Sequence, residues 1–259
     1  MTRKYRAGAA AAACAVLALG VTGCGGDDEK SSGGSSDARS GGNGIEQLSA
    51  KEIADKGENA FASAKSVRMR IDGKLNGQKA TGDFVMDSGG NCRDTMSVGS
   101  AGSWELVRRG DRIWLKPDAA IAKQLFGPGS AAATQKYQGK YIQGTASDKA
   151  LNDMADGCDM KSAQKQVDSS EGDKWTKGGS VDVGGRRAIA VKGTSDEGDP
   201  VTLYIATEGT PYVLKSEEAG DNPATVLFTD YDEPVPAETP SADQSVGIAE
   251  FQKAAGAGR

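Results

Sequence analysis

The sequence predicts an α+β domain built on one large antiparallel sheet. Three observations carry this. About ten segments alternate apolar and polar residues with the period of a strand. The turns between them are short and rich in Gly, Asn and Asp. The helical segments fall in two blocks, one before the sheet and one in its middle, which is not the alternation of a parallel βαβ array. A sheet of about ten strongly twisted strands tends to curl. Its apolar face then wraps around something, and the amphipathic helices are the natural filling.

The elements follow in order. Ser49, with Glu52 three residues on, is a capping-box pattern. Leu48, Ile53, Ala54, Phe61 and Ala64 then form a roughly helical apolar stripe. Val67, Met69 and Ile71 alternate with Arg68, Arg70 and Asp72, and Asn76-Gly77 is a strong hairpin signal. Ala80, Gly82, Phe84 and Met86 continue the alternation on the return strand. After Asp87-Ser88-Gly89-Gly90 come strands at 91–98, 104–109 and 112–116. The middle differs: 117–126 and 149–166 have helical composition, broken by Gly127-Pro128-Gly129 and a Gly/Tyr segment. Strands are expected again at 180–183, 187–192, 200–206, 212–218 and 224–230, with Trp175–Lys177 a candidate strand start. The prolines from Pro234 to Pro240 stop the sheet. Residues 247–253 read as a short terminal helix or a frayed tail.

The N-terminus carries a separate signal. Arg3, Lys4 and Arg6 precede an alanine-rich apolar run over 9–19, which is too short to cross a bilayer core of ~30 Å. Small residues then lead to Val21-Thr22-Gly23-Cys24. That order is a secretory signal peptide. Its end resembles the lipobox of bacterial lipoproteins, in which the cysteine takes a diacylglyceryl group with palmitate-type chains and becomes the new N-terminus. The expected organisation is a signal peptide over 1–23, a lipidated flexible tether over 24–46, a folded domain over 47–241 and a C-terminal tail over 242–259. The tether is rich in Gly, Ser and Asp, and about 22 residues of this kind span on the order of 25 Å.

Composition excludes several activities. The chain of 259 residues has no histidine. A Ser-His-Asp or Cys-His arrangement and a His-ligated zinc or iron are therefore ruled out. After Gly23, 28 Lys and Arg face 36 Asp and Glu, and such an acidic surface repels phosphates, so no nucleic-acid partner is expected. The acidic side chains Asp221, Asp230, Asp232 and Glu233 lack the spacing of an EF-hand loop, and Ser88-Gly89-Gly90 lacks the lysine of a phosphate-binding loop. No metal, no cofactor and no catalytic residue is expected, and the protein reads as no enzyme. Of the four cysteines, Cys14 leaves with the signal and Cys24 is the lipidation candidate. Cys92 and Cys158 are expected to pair in an oxidising compartment. A redox dithiol or metal site is the alternative, without a CxxC motif to support it.

Several short motifs, in this order, carry a family resemblance: Leu48-Ser49-Ala50-Lys51-Glu52-Ile53 with Ala64-Lys65-Ser66-Val67-Arg68; Glu105-Leu106-Val107-Arg108-Arg109-Gly110-Asp111-Arg112-Ile113-Trp114; the Thr207-Glu208-Gly209-Thr210-Pro211 turn; and Tyr231-Asp232-Glu233-Pro234-Val235. Over most of 48–241 the chain resembles the LppX/LprG-type bacterial lipoproteins of LolA-like fold. The resemblance implies an open half-barrel sheet with helices in its concave face. It also implies a role class, since relatives hold acyl chains between sheet and helices. The same fold hosts envelope-stress sensors.

Candidates for an apolar ligand-binding face are Phe84, Met86, Ile113, Leu115, Leu203, Ile205 and Phe228. Their alternative role is to pack on the protein's own helices. Trp104, Trp114 and Trp175 are candidates for a ligand mouth or for core. The expectation is a monomer on the extracytoplasmic face of the cell membrane, lipid-anchored through Cys24, that binds or carries a lipid or lipidated ligand in an apolar cavity. The alternative is an envelope sensor or protein-interaction module on the same fold.

Overall fold

The computed structural model describes residues 42–168, 174–195 and 198–256. The expected signal peptide, Cys24 and most of the expected tether lie outside them. Helix α1 (Ala50–Ser63) begins at the anticipated box: Ser49 Oγ accepts from the Glu52 N–H and the Glu52 carboxylate accepts from the Ser49 N–H. Strands β1 (Ser66–Leu75) and β2 (Gln78–Asp87) are joined by Asn76-Gly77, both at positive φ as the tight hairpin requires. Strands β3 (Cys92–Val98), β4 (Gly102–Arg109) and β5 (Arg112–Pro117) complete a meander.

The middle block holds helices α2 (Ala119–Phe126), α3 (Ser130–Lys136), α4 (Lys149–Ala155) and α5 (Met160–Asp168), with strand β6 (Tyr141–Thr145) between α3 and α4. Strands β7 (Thr176–Val183), β8 (Arg186–Thr194), β9 (Pro200–Ala206), β10 (Val213–Glu218) and β11 (Ala224–Thr229) form a second meander. The chain closes with β12 (Ser245–Gly247) and α6 (Ile248–Ala254). No helix among the described residues is long and apolar enough to cross a membrane.

All twelve strands form one sheet, ordered β12-β6-β5-β4-β3-β2-β1-β11-β10-β9-β8-β7. Among the described residues its end strands β12 and β7 do not pair with each other, so the sheet is an open half-barrel, as the resemblance implies. Every pairing between these strands is antiparallel except β12 on β6. Strand register sets the inward face. One row runs Phe228, Met69, Phe84, Asp94, Leu106, Leu115, Ile142, Val246 across eight strands. All helices pack on this face. A Cβ at Gly57 of α1 would run into Ile205 Cδ1, one at Gly102 would meet Ile121 of α2 at 2.8 Å, and one at Gly144 would meet Leu151 of α4 at 2.6 Å.

The folded body exceeds the boundaries read from sequence at both ends. Ile45, assigned to the tether, is buried, and Asn43 ties its segment to the Thr207 and Gly209 carbonyls. In the expected tail, Phe251 of α6 is buried and stacks edge-on with Phe126. The sequence also missed α3, β6 and β12. Residues 230–244 do stop the sheet but then run as a strap to its far edge. The strap is pinned by Ser66 Oγ donating to the Glu233 carbonyl and by Arg93 Nη2 donating to the Glu238 carbonyl. Arg93, Val107 and Trp114 are register neighbours on the outer face, and Val107 and Trp114 are buried there although no helix among the described residues packs on that side. The strap's own Val235 is buried too.

Candidate functional site

The two halves of the inward face are filled differently. Over β4, β5, β6 and β12 lie α2, α4 and α6, with α3 packed on α2 and α6. Cys92 and Cys158 form a disulfide, Cα to Cα 5.5 Å, that ties β3 to the turn after α4. Over β7–β10 lies chiefly α1, with α5 packed against it. One helix covers this half incompletely and leaves a hollow of about 120 Å³. Phe61 of α1 forms one wall, fixed by edge-on contacts with Phe228 at 5.7 Å and Tyr231 at 6.5 Å. Val201, Leu203, Val213 and Phe228 form the floor, and Trp175 forms the opposite wall. Trp175 lies against β8 because Gly193 offers no side chain; a Cβ there would be 2.8 Å from the ring. Ser195 and Ser216 complete the lining.

Register extends the hollow into a strip. The row Leu203, Ser216, Val226, Ile71, Gly82, Met96, Trp104 crosses from β9 to β4. Val226, Ile71, Met96 and Trp104 are each half-buried. Five strand spacings from Ser216 to Trp104 make about 24 Å. Gly82 keeps the strip low in the middle, where Phe84 and the Met96 sulfur lean over the missing side chain.

The seven ligand-binding candidates separate accordingly. Leu203 and Phe228 line the hollow. Phe84 is half-buried beside the strip. Met86, Ile113, Leu115 and Ile205 are fully buried in the core cluster. They point inward, as their alternation predicts, but lie where the helices already fill the space. Of the three tryptophans, Trp175 lines the hollow, Trp104 belongs to the strip, and Trp114 is buried on the outer face with the Arg112 guanidinium 4.7 Å above its ring.

A larger, open depression of about 600 Å³ over β2–β5 is lined mostly by polar and charged side chains, with Gly82, Met96 and Trp104 of the strip among them. Its charged groups are already engaged. Lys116 pairs with Glu105, and Asp118 accepts from Ser103 while capping α2.

Two of the four acidic side chains near the sheet ends have structural tasks. Asp232 accepts from the Lys65 N–H and the Tyr212 hydroxyl, and Asp230 lies 3.6 Å from Arg68. Among the described residues, the one close group of metal-ligating types is Cys92, Asp94 and Cys158, and its two sulfurs are bonded to each other. Asp94 itself was not singled out from sequence, although its alternation with Cys92 and Met96 puts it on the inward face. It is 2% exposed, and burial pushes its carboxyl up to about 7. The Trp104 indole and Leu106 N–H oppose that rise. Even so, neither Asp94 Oδ1 nor Trp104 Nε1 has a hydrogen-bond partner among the described residues.

The chain matches no family model and no curated protein. Solved structures do match. LprF from Mycobacterium bovis is 14% identical, covers 74% of this chain and 97% of its own, and superposes with a TM-score of 0.50. The chain shares the open half-barrel fold of LprF. Lipoprotein LppX from Mycobacterium tuberculosis is 13% identical over 73% of this chain and 98% of its own, TM-score 0.46. A LolA superfamily protein from Nitrosomonas europaea is 10% identical over 76% and 99%, TM-score 0.26. At these identities the likeness is one of fold.

Proposed function

We propose that this protein is a non-enzymatic lipoprotein, anchored through Cys24 outside the cytoplasmic membrane, that binds or carries a lipid or lipidated ligand on the inward face of its half-barrel. The observation that carries the reading is the apolar hollow beside α1, continued along about 24 Å of sheet by the half-buried row of Val226, Ile71, Met96 and Trp104. An apolar cavity of ~150 Å³ stays dry and takes a benzene-sized guest, so the hollow suits one end of a chain. One extended acyl chain, half of a ~30 Å bilayer core, fits within the strip. Covering that strip contributes about 25 cal/mol per Å² of apolar area. The lipobox-like Val21-Thr22-Gly23-Cys24 and the following Gly/Ser-rich residues supply the anchor and reach of such a carrier.

Native mass spectrometry of the full chain carrying Cys24→Ser, purified gently from its host, tests the cargo. A co-purifying lipid adduct is expected, and Leu203→Trp, which fills the hollow, is expected to reduce it. A clean protein mass for both would remove the carrier reading. For the anchor, Cys24→Ser is expected to move the protein from the membrane pellet to the soluble fraction.

A further inference from the structure

The hollow beside α1 is apolar except where Ser195 and Ser216 enter its lining. Ser195 belongs to the turn between β8 and β9, and its main chain is fully used: its N–H donates to the Asp199 carbonyl at 2.8 Å and its carbonyl accepts from the Gly198 N–H at 2.9 Å. Its hydroxyl is not part of that turn. Ser195 Oγ is buried and has no hydrogen-bond partner among the described residues. A hydroxyl removed from water without a partner is destabilising, and an alanine would avoid that loss. Ser216 stands on the inward face of β10, with Leu203 and Val226 as its register neighbours. The pattern of that row calls for an apolar residue. Two small hydroxyl side chains thus interrupt an otherwise greasy surface at the same hollow.

We propose that Ser195, supported by Ser216, is a specificity-determining residue that donates a hydrogen bond to a neutral oxygen of an otherwise apolar guest: an alcohol or a carbonyl borne on a hydrocarbon. The guest then supplies the partner that the fold leaves out. No charged side chain is among the residues lining the hollow, so a carboxylate or phosphate placed there would be an unpaired buried charge. This assignment rests on the reading that the hollow takes an apolar guest.

Binding of two probes with equal numbers of heavy atoms, 1-hexanol and n-heptane, tests it on the full chain carrying Cys24→Ser. The readout is the ratio of the two affinities, in which the probes' different solubility in water cancels between variants. Ser195→Ala is expected to lower the alcohol-to-alkane ratio about five-fold, the effect of one neutral hydrogen bond, while n-heptane binds as before. Ser195→Thr, which keeps the hydroxyl, is expected to preserve the ratio. An unchanged ratio in Ser195→Ala, with both probes bound, overturns the role of Ser195 and leaves the apolar hollow standing. Failure of both probes to bind the unsubstituted hollow overturns the hollow as a guest site as well.

Discussion

The half of the inward face over β4–β6 and the half over β8–β11 carry similar strand sequences and behave differently. Ile113 and Leu115 on one side match Leu203 and Ile205 on the other in composition and alternation. Under α2, α4 and α6 the first pair is sealed. Under α1, Ile205 is sealed by the close approach of Gly57, while Leu203 borders a hollow. A strand's apolar face is thus a requirement for cover. The number of helices placed over it decides whether that cover is complete or leaves a hollow.

Removing the disulfide is the strongest way to break the contrast. Cys92→Ser with Cys158→Ser reopens a loop of 66 residues. The expected loss is about 4 kcal/mol in urea denaturation, with the hollow's affinity for its guest unchanged, because neither cysteine lines it. A paired comparison is next. Leu115→Ala should destabilise by roughly 3 kcal/mol, and Leu203→Ala by about half as much, since Leu203 already faces empty volume. Equal losses would mean that the two halves are packed alike.

Asp94 provides a third, pH-dependent test within the sealed half. Its folded carboxyl titrates at about 7 against an ordinary 3.8, so the native state holds this proton more tightly than the unfolded chain. Its contribution is therefore greatest below the unfolded value and is lost as pH rises toward and through 7. From pH 5 to pH 8 the wild type should lose roughly 2–3 kcal/mol more than Asp94→Asn. Parallel pH profiles would refute the assignment. Asp83, held below its usual range by Arg68, has the opposite sign and loses its contribution as pH falls, so the difference between the two proteins, not the absolute profile, is the measure. The smallest effect is at the cap: Ser49→Ala should destabilise by about 1 kcal/mol and raise amide exchange in α1 before it does so in α2 or α4.

Legibility in the sequence followed the range of the interactions. The Ser49–Glu52 box and the Asn76-Gly77 turn were readable because a few neighbouring residues determine them. Strand alternation placed Phe84, Leu115, Leu203 and Phe228 on one face for the same reason. β6 and β12 were missed because Tyr141–Thr145 and Ser245–Gly247 are short and become strands through pairing with distant partners. The hollow was out of reach, because whether Leu203 meets a helix or a void depends on where Phe61 and Trp175 come to lie. Asp94 did carry a local sign. An acidic residue in phase with Cys92 and Met96 marks a charge turned toward grease.

The strap over 230–244 constrains how the body can breathe. It leaves β11 near the middle of the sheet and rejoins at β12, seven strands away. Seven spacings are about 34 Å along the sheet, and its fifteen residues reach about 50 Å when taut. It runs outside the bend, like a belt on the back of a bow. Tighter rolling would draw it taut, whereas flattening would slacken it. Its reach therefore sets an upper limit on how tightly the half-barrel can coil.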